Sequence, residues 1–86
     1  MIDTSRKSGR VPALISRKMG NGYLATRLSQ IGNRWRFGII FQRFRGDFPL
    51  AIYQEIENQT WWLIPATQHE ELAAFCLRNG LMIVEE

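Results

Sequence analysis

His69 and Cys76 are the two side chains in this sequence that could act as a base and a nucleophile, an imidazole drawing the proton from a thiol that then attacks an acyl carbon. They lie seven positions apart, so a helix would carry both on one face. Two helical turns separate them by about 10.5 Å of axial rise, too far for the hydrogen bond that such a pair needs. His69 is the only histidine and Cys76 the only cysteine, so neither a metal site nor a disulfide can be assembled from them within one chain. The adjacent carboxylates Glu70-Glu71 and Glu85-Glu86 fall at a helix start and at the end of the sequence, where solvation or the helix dipole accounts for them. Gly20-Asn21-Gly22 lacks the spacing and the lysine of a phosphate loop and reads as a hairpin turn. The expectation is a protein that acts by binding, not an enzyme, with no catalytic residue, metal or cofactor and no small-molecule substrate.

The charges are unevenly placed. Ten of the eleven basic residues precede Gly46, with Asp3 as their only carboxylate, whereas residues 47–86 hold seven carboxylates against Arg78. A cationic half points to an anionic partner without identifying it. Eighty-six residues form one domain, and a hydrophobic fraction of 45% is enough for it to fold. The longest apolar run, Trp61 to Ala66, falls far short of the roughly 20 residues of a membrane span. A lone cysteine and the lack of a signal-like apolar core favour a cytoplasmic location.

These residues must be positioned by local elements. Residues 1–10 read as a flexible basic tail and 11–86 as a single domain. Val11 to Lys18 alternates in polarity, and Pro12 limits it to an edge strand or a strand start. Tyr23 to Ile31 fits a helix or a strand, and the preceding Asn-Gly favours a strand. Trp35, Phe37, Ile39 and Phe41 alternate, which predicts a half-buried strand over Arg34 to Phe41. A turn at Arg45-Gly46-Asp47 would return the chain as a second strand through Phe48, Leu50, Ile52 and Ile56. Pairing Phe41 with Leu50 then sets Arg34 opposite Glu57, Arg36 opposite Glu55 and Gly38 opposite Tyr53. A turn near Asn58 precedes a strand from Trp61 to Ile64, stopped by Pro65. Thr67 and Glu70 are spaced as a capping box, Leu72, Phe75 and Cys76 form an apolar stripe, and Gly80 suits a left-handed terminus. The reading is therefore α+β: a small antiparallel sheet of four or five strands, one C-terminal amphipathic helix over Thr67–Asn79, and a short final strand from Leu81 to Val84.

The order of basic tail, three-stranded sheet and C-terminal helix over Arg6 to Gly80 resembles the arm-binding domains of tyrosine recombinases, without a shared diagnostic motif. That resemblance implies DNA read by the sheet. Two surfaces follow from the residues themselves. An aromatic and arginine-bearing sheet face, with Trp61, Trp62, Tyr53, Arg34 and Arg36, would hold another protein or a second copy of the chain. Neighbouring residues of a strand point to opposite faces, so one of Trp61 and Trp62 enters the core and the other joins Tyr53 or Ile64 on an uncovered face. Alternatively, Arg6, Lys7, Arg10, Arg17, Lys18, Arg27, Arg43 and Arg45 would contact nucleic-acid phosphates. Protein binding ranks first, because the expected Arg–Glu pairs neutralise part of the cationic half. The partner, the biological process and the oligomeric state do not follow from these residues.

Overall fold

The computed structural model describes residues 11–86. The proposed tail, with Arg6, Lys7 and Arg10, lies outside the described residues. Strand β1 (Ala13–Lys18) and strand β2 (Tyr23–Ser29) form a hairpin, followed by helix α1 (Arg34–Asp47). Strands β3 (Ile52–Ile56) and β4 (Gln59–Pro65) form a second hairpin. A short 3-10 turn (Ala66–Gln68) leads into helix α2 (His69–Arg78), and strand β5 (Met82–Glu85) completes the described fold. The five strands form one sheet in the order β3-β4-β2-β1-β5. All pairs are antiparallel except β1 with β5, which run parallel. The α+β class is therefore as expected, with a second helix and one parallel pair added.

Turn chemistry sets the two hairpins. Gly20 and Gly22 hold φ of +77° and +90°, and the Asn21 side chain accepts a hydrogen bond from the Tyr23 amide. Glu57 and Asn58 both have positive φ, the conformation of a two-residue type I′ turn whose twist matches its strands. Tyr23–Ser29 is a strand, as the preceding turn favours. Pro12 stands just before β1, so the strand-start reading holds and the edge reading does not: β1 lies between β2 and β5.

The largest departure is over residues 34–47. The expected strand is helix α1, and the expected pairs Arg34–Glu57, Arg36–Glu55 and Gly38–Tyr53 do not form, since β3 pairs with β4 instead. Asn33 caps α1, its side-chain oxygen accepting from the Arg36 amide at 2.7 Å. The alternation Trp35–Phe41 overlies a second spacing, Phe37, Ile40, Phe41, Phe44 and Phe48, which is helical. Packing decides between them. Ile40 and Phe44 are buried in the core, whereas Trp35 is 80% exposed. Gly38 and Gly46 weaken the helix intrinsically, so α1 depends on that packing.

Helix α2 carries the expected stripe of Leu72, Phe75 and Cys76. The capping box does not form: α2 begins at His69, after the turn containing Thr67, and has no side-chain cap. Its C-terminus matches expectation. Gly80 has φ +68°, and the amides of Leu81 and Gly80 bond to the carbonyls of Cys76 and Leu77, the paired bonds of a Schellman ending.

Both helices pack on one face of the sheet, over Leu14, Leu24, Leu28 and Ile64, with Phe44, Phe48 and Phe75 meeting between them. The seam between the helices is polar at its end. Arg43 donates to the Asn79 side chain, Arg78 pairs with Asp47, and a Cβ placed on Gly80 would lie 3.9 Å from Arg36 Nη2. The opposite sheet face holds a smaller cluster of Ile15, Ala25, Trp61 and Leu63.

Candidate functional site

The β3–β4 register sets Tyr53 beside Trp62 on the helix-bearing face. Their rings stack at 5.8 Å between centroids and 20° between planes. Helix α1 brings Phe41 against the indole of Trp62 at 4.7 Å and Phe44 against it at 4.9 Å. Phe37 extends the stack beyond Phe41 at 6.2 Å. Trp62 is thus the centre of an aromatic ladder that joins the edge strand to the helix. The centroid separations of 4.7 to 6.2 Å fall in the range where aromatic pairs are worth about 0.5–1.5 kcal/mol beyond their buried area.

The ladder lines a groove of about 810 Å³ between α1 and β3. Phe44, Phe48 and Ala51 form its floor, and Phe41, Tyr53 and Trp62 its aromatic walls. Arg45 stands on the rim, its guanidinium 5.8 Å from the centre of the Phe41 ring. Tyr53 remains 65% exposed and Leu50, just outside, 82% exposed. The volume falls within the roughly 300–1,000 Å³ range of ligand pockets. The site therefore offers flat apolar surfaces, a tyrosine hydroxyl and one positive charge.

The two adjacent tryptophans face opposite ways, as strand geometry requires. Trp62 is not on an uncovered face; it shares the helix-bearing side with Tyr53 and Ile64 and is half-buried under α1. Trp61 lies on the helix-free side, yet it is only 2% exposed. Arg17 and Arg27 hold their guanidinium groups 4.7 and 5.2 Å from its ring centre. Arg17 also pairs with Glu86 at 3.0 Å and Glu57 at 3.7 Å. Of the protein-binding candidates, the fold brings together Tyr53 and Trp62, and leaves Trp61, Arg34 and Arg36 elsewhere.

The cationic residues do not converge. Arg17 and Arg27 pack on Trp61, Arg36 and Arg43 serve the seam between the helices, and Arg45 stands at the groove. Lys18 is exposed at the end of β1, and Arg34 opens α1 with no ion pair among the described residues. The layout also departs from the one shared with the recombinase domains, because α1 intervenes between the hairpins and the sheet has five strands. Phe41 and Phe44 were not among the expected site residues, and Arg45 was expected at a phosphate surface rather than beside an aromatic groove. The signal for this placement was the helical spacing of Phe37, Phe41, Phe44 and Phe48 behind a capping asparagine.

Cys76 is buried in the helix-bearing core, which pushes its thiol up to about 11. Its partner in the rejected catalytic pair, His69, is exposed and lies 3.9 Å from Glu85. Among the described residues, no helix is long and apolar enough to cross a membrane, and no three metal-ligating side chains cluster. None of the protein-family models, curated proteins or solved structures with which the chain was compared matches it.

Proposed function

We propose that this protein is a small non-enzymatic binding module of a regulatory or adaptor kind, which captures a segment of another protein in the groove between α1 and β3. The observation that carries this reading is the half-open aromatic ladder: Tyr53 stands 65% exposed against Trp62 in a groove already walled by Phe41. Tyrosine, tryptophan and arginine are favoured anchors of interfaces, because they combine large rigid apolar area with a polar tip. Charge selects the partner. Arg45 is the one charged residue among those lining the groove, and the nearby Asp47 already pairs with Arg78. The favoured segment is therefore acidic, with an aromatic or large aliphatic residue to enter the groove.

Nucleic acid is the competing class, since Tyr53 and Arg45 would also suit a stacked base and its phosphate. It ranks second because Arg17, Arg27 and Arg43 are engaged within the fold rather than gathered around the groove. A random-peptide library displayed on phage, selected against the purified protein, tests the reading. Enrichment of acidic sequences with one large apolar residue is expected, with about tenfold or greater loss of affinity in Tyr53→Ala. No enrichment, together with micromolar binding of single-stranded oligonucleotides that weakens steeply with salt, would overturn it.

A further inference from the structure

The sheet has two edges, and they are built differently. At one edge, β5 ends in Glu85 and is followed by Glu86, charges of the kind that discourage another strand from pairing. At the other, β3 carries a single carboxylate, Glu55, and no lysine, proline or bulge, and it runs in unbroken register with β4. Ile52 to Glu55 are all exposed, Ile52 by 48%. No strand among the described residues pairs with its outer side.

Hydrogen-bond parity decides what that edge presents. Ile56 and Gln59 flank the two-residue turn, and the flanking pair of such a hairpin is a hydrogen-bonded one. Alternation then turns the backbone groups of Ile52, Gln54 and Ile56 toward β4. It leaves the N–H and C=O of Tyr53 and Glu55 facing outward.

We propose that β3 pairs antiparallel with β3 of a second copy of this chain, about a two-fold axis through Gln54. The sequence of the strand is self-complementary in this register. Ile52 lies opposite the partner's Ile56, Gln54 opposite the partner's Gln54, and Tyr53 opposite the partner's Glu55. Tyr53 and the partner's Glu55 exchange both backbone hydrogen bonds, and the axis repeats the exchange, so the outward groups of Tyr53 and Glu55 in both copies are satisfied. Apolar side chains meet on the helix-free face. On the helix-bearing face, the partner's Glu55 comes beside Tyr53, which lines the same groove as Arg45, so opposite charges approach across the seam. A two-residue shift one way sets Glu55 against its own copy; the other way it sets Ile52 against Gln54. Either shift cuts the paired stretch from the full five residues. The two-fold axis stands normal to the sheet, so both grooves open on one side and adjoin at the interface. The pairing does not depend on what occupies the groove.

Sedimentation velocity over a wide concentration range, with site-resolved amide exchange, tests this. The expected mass rises from the 10.0 kDa of one chain to twice that value. The amides of Tyr53 and Glu55 should gain protection as the dimer forms, while that of Gln54, bonded to β4, stays protected throughout. Glu55→Pro removes an outward N–H, at a position where an edge strand tolerates proline, together with the carboxylate that faces the partner's Tyr53, and should raise the dimer dissociation constant about tenfold or more. A chain that stays monomeric at every concentration would overturn the proposal. So would a dimer in which the Tyr53 and Glu55 amides exchange freely; this second readout needs no variant to fold.

Discussion

Trp61 and Trp62 are neighbours in sequence and opposites in use. Trp61 sits on the sheet face without helices, 2% exposed, with two guanidinium groups near its ring and Ala25 and Leu63 in its cluster. Trp62 sits under α1, in ring contact with Phe41, Phe44 and Tyr53 beside an open groove. The first ring is enclosed by long, self-solvating side chains, and the second is only half-enclosed, by rings that leave room for another. One face thus encloses its tryptophan beneath arginines, and the other sets its tryptophan beside an open groove. Arginine next to an aromatic ring is therefore no guide to function by itself: Arg17 and Arg27 cover a core residue, whereas Arg45 borders a groove.

Truncation separates the two faces most strongly. Trp61→Ala should cost about 3–5 kcal/mol of stability, the usual penalty for deleting a fully buried large aromatic. Trp62→Ala should cost less, roughly 1–3 kcal/mol, because part of its surface is already wet and its stacking contacts are the main loss. Urea denaturation of both variants measures the difference, and the reverse order would break the comparison.

The helix-bearing core carries its own signature in alkali. Burial holds the proton on Cys76 up to about pH 11, against an ordinary value of 9.0. Below pH 9 folded and unfolded chains both keep it, so the thiol leaves stability unchanged. Between pH 9 and 11 only the unfolded chain releases it, and stability falls by about 2–3 kcal/mol as pH rises. Comparing the pH dependence of unfolding in Cys76→Ala with the parent chain isolates this contribution; equal slopes would contradict it. In the native state at neutral pH the thiol should also resist alkylation.

Gly38→Ala tests α1, the wall of the groove. A Cβ at Gly38 meets nothing within 4 Å, so removing the glycine should stabilise the helix by roughly 0.5–1 kcal/mol. A loss of stability would mean that the space beside α1 is needed. The smallest effect is expected for Glu57→Gln, which removes one ion pair of Arg17 and leaves its guanidinium over Trp61. Glu57 is largely exposed, and the cost should stay below about 1 kcal/mol, shrinking further in high salt.

Most of the fold was legible where local chemistry is unambiguous. Gly20-Asn21-Gly22 marks the first hairpin, Pro65 closes β4, and Gly80 with Leu81 ends α2. Residues 34–48 misled because two periods coincide there, whereas the strand expected through Ile52 and Ile56 is present as β3. Trp35, Phe37, Ile39 and Phe41 satisfy a strand, Phe37, Ile40, Phe41 and Phe44 satisfy a helix, and only the position of the sheet beneath them decides. The matched signs of Arg34 with Glu57 and Arg36 with Glu55 lent the wrong hairpin a false support: complementary charge is not contact. The parallel pairing of β1 with β5 is a match between distant segments that no local pattern announces. At the groove, the placing of one of the two tryptophans beside Tyr53 was legible from strand alternation. The places of Phe41 and Arg45 were not, because Phe41 meets Trp62 and Arg45 meets Phe41 only once α1 is a helix.

The division between the two faces is tested most directly by following the indole N–H resonances of Trp61 and Trp62 while an acidic, aromatic-containing peptide selected against the protein is added. The account predicts that the Trp62 signal shifts in a saturable way and the Trp61 signal stays in place. A saturable shift of Trp61 with Trp62 unmoved would contradict it, and would put the partner on the helix-free face.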